Sequence, residues 1–480
     1  MKNAHSTLSL AVDRTLQLPI YLQICQRFKT AIAQGHLRAG DRVPAVRALA
    51  TELSLARGTV EMAYRILTDE GYLQVRGAAG TVISPSLPRP ATDRKLTEPN
   101  PLATILPPPP INDYDGLAPK PMQLGLPALE AFPRRVWNRL VTHQLRNSEV
   151  KGLAYPEPAG YRPLRERIAT YLALSRGVSC MPEQVFVTAG YRATLELVLR
   201  SLAKPGDAFW FEDPGYILAQ QFLRDAGVAL VPVPVDDQGL IVKQGLRLRP
   251  NARFAVVTPS HQSPLGVTLS LERRMALLEW ATAAKSWIIE DDYDSEFRYQ
   301  GRPLPALKSL DRDDRVIYSG TFSKVMFPGL RLSYVVVPLS ATARFQAVCT
   351  NLNAGCPHLF QASVAAFMAE GHFSRHLKKM RLLYAERRML TAQALRQVFS
   401  DQLHIDLQPG GLHIIGTLPA GTDDVRLAER ARAAGFGLHP LSRWYMDATP
   451  QPGLVMGFAN IRDADAAISL AVRLRQAMNT

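Results

Sequence analysis

The sequence predicts two folded parts of different class: a small α+β module of three short helices and a two-stranded ribbon, then a large α/β domain on a doubly wound sheet. Three observations carry this. Residues 85–121 hold eleven prolines, including the run Pro107 to Pro110, and proline blocks helix interiors and sheet centres. Before that stretch, apolar residues recur at helical spacing in short segments. After it, helical periods alternate with seven short apolar runs.

The small part, residues 1–84, opens with "PIYLQICQRFKTAIAQGHL" (19–37). Ile20, Ile24, Phe28 and Ile32 fall on one helix face, and Gly35 ends the helix. "AVRALATEL" predicts a second helix and "RGTVEMAYRILTDEG" a third, with Val60, Ala63, Tyr64 and Leu67 on one face and Gly71 closing it. "YLQVRGAAGTVIS" then alternates around a glycine-rich turn, as a two-stranded wing does. This is the order of a winged helix-turn-helix, whose second motif helix sets its N-terminal side chains in the major groove of DNA. Arg57 and Thr59 stand at that end, off the apolar face.

"GDRVPAVRALATELSLARGTVEMAYRILTDEGYLQVRGAAGTVI" (40–83) resembles the DNA-binding pattern of the GntR family. The resemblance implies DNA contacts at Arg47, Arg57 and Thr59, with Arg76 and Gly77 in the wing. Ala56 and Gly58 depart from it, standing where a Ser or Thr and an Asn are common. The loss of a capping side chain weakens the helix start.

Residues 85–121 read as a semi-stiff polyproline-type linker. The chain has a net charge of +14 and a pI near 9.7, which favours a polyanionic partner. That charge is spread along the chain. Residues 1–84 hold 10 Lys/Arg against 6 Asp/Glu, the linker balances at 4 against 4, and the remaining +10 lies in 122–480. No apolar run reaches the roughly 18 residues of a membrane span, and the start lacks the apolar core of a secretory signal, so a cytoplasmic protein is expected. Cys25, Cys180, Cys349 and Cys356 show no metal-ligand spacing and read as reduced thiols, with Cys349 and Cys356 at most a redox pair.

In residues 122–480 the strands are "QVFVTAG", "AFWFEDP", "ALVPVPV", "FAVVTPS", "SWIIEDD", "RVIYSGT" and "LSYVVVP". In such a sheet, ligands bind beyond the carboxyl ends of the strands, and the informative polar residues sit there. Lys324 follows a strand within "SGTFSK". Asp291 ends "SWIIED". Arg331 comes seven residues after Lys324. Gly190 and Tyr191 occupy a strand-to-helix turn, and Tyr216 lies in "EDPGY". An amine, a carboxylate, anion donors at a helix start and a flat ring are what pyridoxal 5'-phosphate requires.

Residues 122–480, with a small subdomain from about 355 to 480, resemble the fold-type I pyridoxal-phosphate enzymes of the aminotransferase family. "LAYPEPAGYRPLRERIATYLALSRGV" (153–178) and "TPSHQSPLGVTLSLERR" (258–274) belong to the resemblance. It implies that Lys324 forms the Schiff base as an internal aldimine, Asp291 pairs with the pyridine nitrogen, Tyr293 reaches the ring oxygen and Tyr216 stacks. Ser319, Ser323 and Arg331 would hold the phosphate with the amides near Gly190 and Tyr191. Ser263 joins the cofactor set where those enzymes usually have Asn before Pro.

A GntR-type winged helix, a long linker and an aminotransferase-like domain together resemble the MocR/GabR subfamily of regulators. "IIEDDYDSEFRY" (288–299) and "GTFSKVMFPGLRLSY" (320–334) are typical of it. The resemblance implies a transcriptional regulator that binds a double-stranded DNA operator, uses pyridoxal phosphate to sense a small amine or a vitamin B6 effector, and forms a homodimer, head-to-tail. An active aminotransferase with an appended DNA-binding module is the alternative. Against it, Val455 in "VMGF" stands where aminotransferases carry an arginine for the substrate carboxylate. Leu218 stands where the GABA-sensing member of the subfamily has an effector-binding arginine. Arg192 and Arg443 are the candidate substitute anchors for an anionic effector.

Overall fold

A computed structural model describes residues 12–16, 18–77, 80–87, 118–148, 150–301, 305–352 and 355–479. It divides into two compact units, Met1–Pro109 and Pro110–Thr480. Most of the proline-rich stretch, 88–117, lies outside the described residues.

In the first unit, helices α1 (Ile20–Ala33), α2 (Val46–Glu52) and α3 (Arg57–Asp69) precede strands β1 (Leu73–Val75) and β2 (Thr81–Ile83). The strands pair antiparallel, with Leu73 opposite Ile83 and Val75 opposite Thr81. Ile24 and Phe28 of α1 are buried against Val60, Ala63, Tyr64 and Leu67 of α3, while Ile20 and Ile32 are only partly covered. The helix face expected from spacing is therefore the face that packs. Gly35 and Gly71 take φ of +74° and +80°, the left-handed region that ends a helix cheaply only with glycine.

In the second unit the seven expected strands form, together with one short addition. They are β3 (Val185–Thr188), β4 (Ala208–Asp213), β5 (Ala229–Asp236), β6 (Gly239–Leu240), β7 (Phe254–Val257), β8 (Trp287–Asp292), β9 (Val316–Thr321) and β10 (Ser333–Val336). Their order across the sheet is β3-β10-β9-β8-β7-β4-β5-β6. β10 runs antiparallel to both neighbours, whereas β9, β8, β7, β4 and β5 are mutually parallel. Near-continuous burial along β4, β7 and β8 is what a sheet covered on both faces demands. β5 carries Pro232 and Pro234, opposite Phe211 and Asp213 of β4; on the other side Pro234 needs only its carbonyl, which accepts from the Ile241 amide at 2.9 Å, so neither proline is asked for an amide it lacks.

A second sheet, which the sequence reading did not resolve into strands, comprises β11 (His404–Asp406), β12 (His413–Thr417), β13 (His439–Pro440) and β14 (Gly453–Gly457), in the order β11-β12-β14-β13. Asp213, at the carboxyl end of β4, ties the two sheets together. Its carboxylate accepts from the amides of Met446, Asp447 and Ala448 at 2.7–2.8 Å. All four cysteines, Cys349 and Cys356 included, are free. Among the described residues no helix is long and apolar enough to cross a membrane.

Candidate functional site

The carboxyl ends of β3, β4, β8 and β9 converge on one cavity. Among the residues lining it are Gly190, Tyr191, Tyr216, Ser263, Asp291, Tyr293, Ser323, Lys324 and Arg331. Nine residues singled out in the sequence thus share one chamber, although the first and the last lie 141 positions apart.

Lys324 follows β9, and its Nζ donates to the Gly125 carbonyl at 2.8 Å. A side chain at Gly125 would place its Cβ 2.1 Å from Nζ, so only glycine admits the lysine there. Desolvation lowers the Lys324 pKa, with Asp294 and then Asp291 opposing. An amine whose charge is disfavoured is the nucleophilic form. Asp291, the penultimate residue of β8, is buried and has its pKa pushed up to about 8, first by burial and further by Asp292, Glu212 and Asp294; the Tyr191 hydroxyl opposes that shift. Such a carboxylate is short of a cationic partner.

At the other end, Gly190 caps helix Tyr191–Leu202 with φ +102° and ψ 171°, a region open essentially to glycine alone. Arg331 adopts φ +52°, and its guanidinium donates to the Ala189 carbonyl at 2.9 Å. A Cβ on Gly190 would lie 2.8 Å from that guanidinium. A helix N-terminus and an arginine so placed make a cradle for a small anion. Ser323 and Thr321 line the same end.

The Tyr293 hydroxyl lies 2.9 Å from His261 Nδ1, and Asp294 Oδ1 approaches the same nitrogen at 3.1 Å. Asp294 Oδ2 is buried and has no hydrogen-bond partner, and the buried Tyr191 hydroxyl faces Asp291 without closing a well-formed hydrogen bond. His413 Nε2 donates to the Pro264 carbonyl at 2.7 Å, and burial lowers its pKa to about 4. The Tyr216 ring stands 6.1 Å from that of Tyr191 and 6.2 Å from that of Trp444.

Three sequence expectations need correction. Ser319 is buried within β9, opposite Asp291 and Val335, and does not line the cavity; Thr321, two residues on, does. Strand alternation explains the near miss, since both residues point to one face and only the last reaches the sheet's end. Arg192 is exposed, and Arg443 pairs with Glu429 at 3.1 Å near the surface; neither lines the cavity. Val455 and Leu218 do line it. The wall also includes Gln123 to Gly125, Asp294, Leu412, His413, His439 and Trp444, which sequence reasoning missed. Asp294 and Thr321 lay inside motifs already quoted; the others come from distant segments that only folding brings near.

In the first unit, Arg47, Arg57, Arg76 and Gly77 are exposed and Thr59 half-buried. Arg57 is the first residue of α3, whose start at Ala56 has no side-chain cap. Its Nε meets Glu61 Oε1 at 2.7 Å, an exposed pair worth little. Gly77 and Gly80 turn the wing with φ of +55° and +87°.

A winged helix in one unit and, in the other, a lysine-bearing cavity on a mixed, mainly parallel sheet define the class: a DNA-binding module fused to an aminotransferase-type domain. The model of bacterial regulatory proteins of the gntR family matches residues 20–83, and that of aminotransferase class I and II matches 111–429. The chain belongs to the MocR subfamily of gntR-type transcriptional regulators. It is 37% identical over 460 residues to the probable rhizopine catabolism regulatory protein MocR of Rhizobium meliloti, covering 94% of this chain and 92% of that one. It is 32% identical over 476 residues to the pyridoxine biosynthesis transcriptional regulator PdxR of Corynebacterium glutamicum, covering 97% and 99%. Among solved structures, the kynurenine aminotransferase of Pyrococcus horikoshii in complex with PMP superposes with a TM-score of 0.68 at 27% identity, covering 75% of this chain and 90% of that one. The alpha-aminoadipate aminotransferase LysN of Thermus thermophilus, complexed with N-(5'-phosphopyridoxyl)-L-leucine, gives 0.67 at 28%, covering 75% and 91%.

Proposed function

We propose that this regulator holds pyridoxal 5'-phosphate in the cavity and changes its DNA binding in response to a small amine or a vitamin B6 compound. The observation that carries the reading is a single chamber in which Lys324 and Asp291 face a cradle formed by Gly190 and Arg331. The donor set fits the cofactor. The amides after Gly190, with Ser323 and Arg331, would hold the phosphate. Asp291, pushed up to about 8 without a cationic partner, would keep a proton on the ring nitrogen. The Tyr191 hydroxyl would support Asp291, Tyr293 would meet the ring oxygen, and Tyr216 would cover the ring face. Lys324 would bond the aldehyde carbon. When bound, the cofactor supplies an aldehyde that captures primary amines reversibly. Lys324 would then be released whenever another amine takes its place, and that exchange is the signal.

On the DNA side we assign contacts to Arg47, Arg57 and Thr59, with Arg76 and Gly77 of the wing on the backbone. The assembly would be a homodimer, head-to-tail, matching an operator with two half-sites. The test combines two measurements on the full chain: the visible absorbance of protein loaded with pyridoxal phosphate, and gel mobility of the DNA upstream of its own coding region. The reading expects a protein-bound band and a DNA complex that responds to amines. A spectrum equal to that of free cofactor, or a DNA complex indifferent to both cofactor and amines, overturns it.

A further inference from the structure

We propose that the effector is a primary amine that carries no carboxylate next to its amine; this rests on the cofactor reading above. An amino acid entering an enclosed cavity brings a carboxylate, which needs a guanidinium or comparable donors to replace its water. Among the described residues Arg331 is the one guanidinium on the wall. Val455 and Leu218, at the two places where a clamp would stand, are side chains of one apolar cluster with Ile217 and Trp444. Arg331 is engaged with the Ala189 carbonyl at the anion cradle. The two other candidates, Arg192 and Arg443, lie off the cavity.

What the wall does present is acid. Asp294 is 1% exposed; its Oδ1 faces His261 at 3.1 Å, and its Oδ2 is buried without a partner. It joins Asp291 on the same lining. With Asp291 committed to the ring nitrogen, the apolar cluster and the Asp294 carboxylate disfavour an incoming carboxylate, and Asp294 Oδ2 is left as an unsatisfied acceptor for a donor such as an ammonium or a hydroxyl. Selection here comes as much from the repulsive element as from the attractive one. The class is therefore an amine with an apolar or hydroxylated body, such as the decarboxylated counterpart of an amino acid.

The test uses matched pairs: serine against ethanolamine, and phenylalanine against 2-phenylethylamine. Each is titrated into cofactor-loaded full-length protein, reading the shift of the bound-cofactor absorbance. The amine of each pair is expected to act at a concentration at least about tenfold lower than its amino acid. Leu218→Arg and Val455→Arg are expected to bring the amino acids to parity or better, whereas Leu218→Met is expected to keep the wild-type order. Leu218 is the less buried of the two, so its variant stands in if Val455→Arg fails to fold. The wild-type comparison decides alone if neither arginine variant holds the cofactor. Amino acids acting as well as amines on the wild type, with the cofactor band intact, overturn this inference and leave the cofactor reading standing. Folded, loaded arginine variants with no gain in amino-acid response also overturn it. Absence of a cofactor band in the wild type removes both together.

Discussion

Two helix N-termini in this molecule use the same backbone device in opposite surroundings. Helix α3 starts after Ala56 with no capping side chain, and Arg57 beside it leaves 62% of its side chain exposed. Helix Tyr191–Leu202 starts after Gly190, also without a side-chain cap, but inside a cavity and under the guanidinium of Arg331. The open end, ringed by long charged side chains, suits a large polyanion that presents many phosphates. The closed end suits a single small anion held in one orientation. On the reading proposed above, the same unsatisfied amides would serve two ligands of different scale, and the difference lies in what the rest of the chain builds around them.

Removing the amine of the closed site should have the largest effect. Lys324→Ala is expected to abolish the protein-bound cofactor band while circular dichroism stays that of the native fold. A band that survives would move the covalent site elsewhere. At the open end, Arg57→Ala is expected to weaken operator binding by about 1–3 kcal/mol in anisotropy titrations, with an unchanged cofactor spectrum. Equal affinity of variant and wild type would detach the open end from DNA recognition. Gly190→Ala forces a side chain into a strained conformation against Arg331, so cofactor affinity by dialysis should fall about tenfold or more. Unaltered affinity would mean that the closed end does not hold the anion.

The smallest effect separates the two ends by pH. Asp291 of the folded, cofactor-free protein keeps its proton up to about pH 8, against 3.8 ordinarily. The native state therefore binds more protons than the unfolded chain between those values, and stability falls as pH rises through that window. Asp291→Asn removes this slope. Between pH 5 and pH 8 the cofactor-free wild type should lose about 2 °C of melting temperature or more relative to the variant, and cofactor should shrink the gap. A gap that does not depend on pH would contradict the burial argument.

The open end was legible in the sequence because its signals are local. Val60, Ala63, Tyr64 and Leu67 are spaced by the helix itself, and the glycines mark their own turns. The closed end was legible only where a strand end carries its residue into the cavity, as with Asp291, Lys324 and Gly190. Ser319 was misplaced by two positions because a strand repeats its facing every second residue, and the pattern does not say where the strand stops. Gln123 to Gly125 and Trp444 carry no motif; their place depends on packing between distant segments. Arg192 and Arg443 were plausible by charge, but neither lines the cavity, and Arg443 pairs with Glu429 instead.

The prolines of β5 have a consequence beyond that strand's own fit. Positions 232 and 234 turn the same way, away from β4, as the Ile241 amide bonding the Pro234 carbonyl at 2.9 Å indicates. At Pro234 that carbonyl is already taken, and at Pro232 the margin has no amide to donate. A foreign strand approaching at Pro232 finds no donor there, which disfavours strand addition on that side. On this side of a broad, heavily apolar sheet the chain thus carries its own guard against edge-to-edge pairing of copies.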